Sequence, residues 1–186
     1  MKPSLYSCQL TPRLRSLDLL PSRFLLVLTL RTQALWLCEL NRLSTRSGSL
    51  SGYVARKRFL ISTSRFGSGQ KEGSDQTPLG LHRVAEKIGG GQPIGTVFQG
   101  RRPIGYTWAG FPLAPITNRI LWLEGLEPGL NRGPGVDSKQ RYIYIHGTCD
   151  EPTLGRPASR GCIHLAADDL IPLYDQLPVG TLVWIE

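Results

Sequence analysis

The chain has 186 residues with 14 Pro and 21 Gly, about 19% turn-favouring residues against a usual ~12%, which excludes a helical bundle and suits one turn-rich domain with its own core. No apolar run reaches 18 residues, so no clear membrane-spanning helix is encoded. The formal charge of +8 is uneven: residues 1–66 hold eleven Lys/Arg against two Asp/Glu, and residues 67–186 eleven against twelve, so the basicity belongs to the N-terminal third and no nucleic-acid partner is expected for the rest.

Residues 1–33 read as a basic segment outside the main domain. Phe24-Leu25-Leu26-Val27-Leu28-Thr29-Leu30 follows Lys2, Arg13, Arg15 and Arg23, the order of a degenerate export signal, although Arg31 ends the apolar stretch early. A poorly ordered extension is the alternative. From Ala34 to Glu186 short apolar runs alternate with turn clusters, the pattern of a mainly β domain. Ala34–Leu40 reads as a strand, Ser47-Gly48-Ser49 as a turn and Tyr53–Ser64 as a strand ending in hydroxyls. Phe66–Pro78 is a Gly/Ser loop. Gly80–Ile88, Thr96–Gln99 and Ile120–Leu123 are further strands, and Glu124–Gln140 is a Gly/Pro loop long enough to be a lid or an insertion. Arg141–Ile145 has high strand propensity and runs into His146. Ala166–Leu177 is a short helix with Asp168 and Asp169 in its first turn and Pro172 confined to that turn. Leu182–Ile185 closes the chain as a strand.

The residues with most chemistry are His146-Gly147-Thr148 and Ser159-Arg160-Gly161-Cys162-Ile163-His164. A free thiol of pKa ~8.5 is only a few per cent ionised at neutral pH, so a cysteine nucleophile needs a base, a group orienting that base and donors for the oxyanion. His146 at a strand end and Cys162 before a helix suit the first requirement, with the imidazole expected to hold the sulfur as thiolate. The alternative is a buried cysteine acting as a small apolar residue. His82 reads as a strand histidine lining or bracing the cleft. The Gly67–Gly73 cluster lacks the Lys-Ser/Thr of a phosphate loop, and no CxxC or HExxH spacing is present, so neither a cofactor nor a metal is expected.

Across some 120 residues the chain resembles the L,D-transpeptidase catalytic domain family (YkuD-type). His146-Gly147 followed by Ser159-Arg160-Gly161-Cys162-Ile163-His164 is similar to that family's HG…SHGC motif, and Ile61-Ser62-Thr63-Ser64, Thr77-Pro78-Leu79-Gly80-Leu81-His82, Lys87-Ile88-Gly89 and Gly180-Thr181-Leu182-Val183 extend the likeness. The resemblance implies a mixed, β-sandwich-like fold with one or two short helices. It also implies a cysteine acyl-transferase of the bacterial cell envelope, with peptidoglycan stem peptides as donor and acceptor and the protein a monomer. By matched position Cys162 is the nucleophile, His146 the base and the Gly147 carbonyl the group that holds its tautomer. Ser159, Arg160 and Gly161 shape the oxyanion region, and His164 and His82 are expected near substrate. Arg160 replaces a family His, and His164 a family Arg or Asn, which leaves transfer against hydrolysis open. An envelope hydrolase on the same scaffold and a non-catalytic wall-binding module are the alternatives. In an oxidising envelope Cys149 is a candidate disulfide partner for Cys162.

Overall fold

A computed structural model describes residues 6–41 and 52–186; the Ser47–Ser49 turn lies outside them. Helix α1 (Tyr6–Ser16) leads into β1 (Phe24–Thr29) and β2 (Ala34–Leu40), then β3 (Tyr53–Leu60), β4 (Gly80–Ile88), β5 (Thr96–Gln99), β6 (Arg102–Tyr106) and β7 (Thr117–Gly125). The chain continues through β8 (Tyr144–Gly147), β9 (Ile163–Leu165), α2 (Ala167–Gln176) and β10 (Leu182–Ile185). The strands form one ten-stranded mixed sheet in the order β3-β2-β1-β10-β4-β7-β5-β6, with β8 on β7 and β9 on β8. β1–β10 and β8–β9 are parallel and the other pairs antiparallel. The mainly β architecture with two helices among the described residues matches the expected class.

The seven residues read as an export-signal centre are placed differently. Phe24–Thr29 lies between β2 and β10, and Leu25, Leu26, Val27 and Leu28 are all buried. Leu26 and Leu28 enter the main core with Leu121, Leu123, Ile145 and Ile163. Leu25 and Val27 face the other way, onto a second core with Leu10 and Leu14 of α1. A strand buried on both faces has no polar alternation, so a continuous apolar run is what it requires. The boundary drawn at 33/34 falls in the tight turn between β1 and β2. There Gln33 sits at φ 45° and its side chain bonds the Thr63 N–H (2.7 Å) and the Thr63 hydroxyl (2.8 Å).

Other differences are local. The strand expected over Arg141–Ile145 begins at Tyr144, because Tyr142 adopts φ 56° and turns the chain. β9 is only three residues long and β6 pairs back on β5, neither of which was expected. Pro172 lies at the sixth residue of the ten-residue α2 rather than in its first turn. Burial of Leu170, Leu173 and Tyr174 offsets the missing hydrogen bond. The Glu124–Gln140 loop is pinned to the body. Leu81 N–H donates to the Glu127 carboxylate (2.6 Å), and the Asn131 amide donates to the Leu79 and Leu81 carbonyls (3.0 and 3.1 Å). It is a buttress rather than a lid.

Candidate active site

The register places the candidate residues in two rows across neighbouring strands. Ile120 of β7 pairs with His146 of β8, which pairs with His164 of β9. Trp122 pairs with Tyr144, and continuing the β8–β9 register one residue puts Cys162 beside Tyr144. Side chains two apart on a strand share a face, so Tyr144, His146, Cys162 and His164 project together. His146 and Cys162 are then diagonal neighbours on one face of the sheet.

The local sequence explains the placement. Gly147 pairs with Thr117 so closely that a Cβ there would stand 2.6 Å from the Asn118 amide and 2.7 Å from the Thr117 carbonyl. Only glycine lets β8 lie at this depth. Gly161 has φ +109°, the left-handed region that turns the chain into Cys162. The Cys162 loop is held from several sides. Ala158 and Ser159 N–H groups donate to the Thr63 carbonyl (2.9 and 3.0 Å), and the Thr77 hydroxyl donates to the Gly161 carbonyl (3.1 Å). The Ser159 hydroxyl donates to the Cys162 carbonyl (2.6 Å), so Ser159 shapes the loop.

His146 is buried, and its Nδ1 lies 2.8 Å from the Gly147 carbonyl. A carbonyl only accepts, so Nδ1 carries the proton, and in the neutral ring Nε2 keeps a free lone pair. Burial, together with the neighbouring His164, lowers the His146 pKa to about 3, against a raising effect of the Gly147 carbonyl. His164, its ring 4.7 Å from that of His146, is lowered to about 4 by burial, and its buried Nδ1 has no partner. The Cys162 thiol remains partly accessible, but its surroundings are protein. Burial pushes it up to about 11, opposed by the Tyr144 N–H and the Arg141 charge. In the resting site Sγ donates to the Tyr142 carbonyl at 3.4 Å. Desolvation penalises both charged forms and so opposes the expected thiolate–imidazolium pair in the resting site, favouring an uncharged thiol and an uncharged imidazole.

Three further expectations find different places. Arg160 is exposed, its guanidinium 3.8 Å from the Asp75 carboxylate, and the cation acting on the sulfur is Arg141. Arg141 is fixed by the carbonyls of Gly69 (3.2 Å), Gln70 (2.8 Å) and Gln76 (2.6 Å). His82 is fully buried, with Nδ1 3.0 Å from the Gly80 carbonyl and Nε2 2.9 Å from the Ser138 hydroxyl. Both nitrogens are engaged, so it braces the 124–140 loop, as one of its two expected roles required. Cys149 and Cys162 are both free thiols, which sets aside the disulfide between them. Beside Cys162 stand Trp122, Tyr142 and Tyr144, with the Arg101 guanidinium 4.6 Å from the Trp122 ring and 3.3 Å from the Tyr144 hydroxyl. Sequence reading took Arg141–Ile145 only as strand; the signal for its role was the Arg and two Tyr preceding a candidate catalytic His. Among the described residues no group of three or more His, Cys, Asp or Glu is arranged to hold a metal.

The family model for the YkuD L,D-transpeptidase catalytic domain matches residues 30–185. YqjB of Bacillus subtilis (strain 168), provisionally named an L,D-transpeptidase, is 41% identical over 54 residues, covering 27% of this chain and 31% of YqjB. Among solved structures, Bd1075 of Bdellovibrio bacteriovorus aligns at TM-score 0.53 and 18% identity over 89% of this chain and 48% of that one. L,D-transpeptidase 3 of Mycobacterium tuberculosis aligns at TM-score 0.52 and 14% identity over 88% of this chain and 61% of its own. At these identities the two structures show a shared fold. The chain spans less than two thirds of the length of each of these proteins.

Proposed function

Since the chain belongs to the YkuD family of L,D-transpeptidase catalytic domains, we propose that it is a cysteine acyl-transferase of the bacterial cell envelope acting on peptidoglycan stem peptides, with Cys162 as nucleophile and His146 as base. The observation that carries this reading is the neutral His146 with Nδ1 committed to Gly147 and Nε2 open, on the same sheet face as the Cys162 sulfur.

Catalysis starts from the uncharged pair. As Sγ attacks the carbonyl carbon of the scissile L-to-D bond, its proton passes to His146 Nε2, and the Gly147 carbonyl steadies the imidazolium as a triad carboxylate would. The oxyanion meets the backbone N–H groups of the Gly161–Cys162 turn. Collapse breaks the C–N bond, His146 returns the proton to the departing D-Ala amine, and a thioester remains on Cys162. An acceptor amine then attacks the thioester, gives a proton to His146 and releases the sulfur, which takes that proton back. Water in place of the amine gives hydrolysis by the same steps. The cation Arg101 over the Trp122 and Tyr142 rings provides a counter-charge for the stem's terminal carboxylate. An export route and an envelope location follow from this substrate.

A tetrapeptide donor with a diamino-acid acceptor tests the reading. The protein is expected to release D-Ala and form a cross-linked product, and Cys162→Ala to lose both completely. Turnover by the Cys162→Ala protein would refute the assignment.

A further inference from the structure

A cavity of about 380 Å³ opens just past His146 and Gly147, at the end of β8. Its walls include Thr107, Trp108, Asn118, Thr148, Cys149 and Glu151. We propose that it binds a sugar ring of the glycan strand that carries the stem peptide, an inference that rests on the peptidoglycan reading above and names a second part of the same substrate.

The lining selects the ligand class by charge. No Lys or Arg lines the cavity, so nothing there neutralises a carboxylate or phosphate. Cys149 is kept as an uncharged thiol, burial raising its pKa against the Ala114 N–H. One Glu151 oxygen is occupied in accepting the Ala167 N–H at 2.8 Å. The rest of the lining joins hydroxyl and amide groups to apolar surface from Ile94, Pro112 and Trp108, with the second Glu151 oxygen left as an acceptor, and suits a ligand with an apolar face and a hydrogen-bonding rim. A pyranose has that shape.

The ring is prepared for contact. Trp108 is 64% exposed, although its indole stacks on Tyr106 with centroids 4.8 Å apart and planes 10° from parallel. The benzo edge lies over Gly95, where a Cβ would stand 2.4 Å from the ring. Gly95 in turn donates its N–H to the Asn118 side chain (2.6 Å), and the Asn118 amide donates to the Thr117 hydroxyl (2.9 Å). Asn118 is buried at φ 65°, in the β7 irregularity between Thr117 and Ile120. A strained, non-glycine residue at a bulge is a feature that binding sites retain. The wall is thus fixed before any ligand arrives, which lowers the ordering cost of binding.

The test uses a trimer of N-acetylglucosamine as probe. The Trp108 indole N–H resonance is expected to shift saturably on titration, Trp108→Ala to abolish binding and Trp108→Phe to keep part of it. In turnover, the ratio of kcat/KM for a disaccharide-bearing stem peptide over the bare peptide is measured with the sugar on the donor and again on the acceptor. At least one ratio is expected to reach about three- to tenfold and to fall to about one in Trp108→Ala. The ratio cancels any general loss of activity. An unmoved indole resonance, or both ratios near one in the unsubstituted protein, overturns the sugar site. Titration needs no turnover, so a protein that binds the trimer but fails to acylate Cys162 overturns the catalytic reading alone.

Discussion

Two arginines near the nucleophile have opposite surroundings. Arg141 spends its guanidinium on three backbone carbonyls of the 69–76 loop and lowers the Cys162 pKa through its charge. Arg160 stands in solvent, 3.8 Å from Asp75. Hydrogen bonds to a charged donor are among the stronger ones, whereas an exposed ion pair contributes little. Arg141→Ala is therefore expected to lower stability by about 2 kcal/mol or more, read by urea unfolding, and to slow acylation of Cys162. Arg160→Ala is expected to change stability by less than about 0.5 kcal/mol. A larger loss in the Arg160 variant would contradict the assignment of the working cation. That Cys162 and His146 come to one sheet face was legible because a named motif and a strand-end histidine carry them. Arg141 was not, since its partners are carbonyls some 70 positions away that leave no trace in residue type.

At the level of elements, β1 joins the two halves of the sheet. It pairs with both β2 and β10, and the turn after it delivers Gln33 to Thr63, whose carbonyl holds the Ala158 and Ser159 N–H groups of the cysteine loop. A chain starting at Ala34 would lose the strand, the brace and the α1 cover over Leu81 and Trp184. Such a truncation is expected to be unfolded by circular dichroism, and the full chain with Leu26→Ala to lose about 2–5 kcal/mol. A folded, active 34–186 fragment would show β1 to be dispensable. β2, β4, β5 and β10 were readable from the sequence because each is a short apolar or β-branched run bounded by turn residues. β1 was misread because burial on both faces gives a strand the look of a signal segment. β9 escaped notice because three residues carry no periodicity.

For the molecule as a whole, three histidines are stored uncharged. Burial lowers His82 to about 4, His146 to about 3 and His164 to about 4, while in the unfolded chain each titrates near ~6.5. As pH falls through that value the unfolded state gains protons first, so stability is full above about 6.5 and is lost progressively toward about 4. The urea midpoint is expected to drop between pH 7.5 and pH 5, each histidine contributing up to about 2 kcal/mol. A midpoint that rises on acidification would contradict the burial of neutral rings. The uneven charge of the chain has a structural counterpart in α1, where Arg13 reaches the buried Glu127 at 2.9 Å and ties the basic segment to the buttress loop.

The uncharged thiol–imidazole pair is tested most directly by following covalent addition of a carbapenem to the intact protein by mass spectrometry between pH 5 and pH 8. One adduct is predicted, mapped to Cys162, forming at a rate nearly independent of pH because His146 stays unprotonated and takes the proton during attack. An adduct elsewhere, a rate rising about tenfold per pH unit as attack by a lone dissociating thiol of raised pKa demands, or ultraviolet thiolate absorption by the resting protein at pH 7 as a preformed ion pair demands, would contradict it.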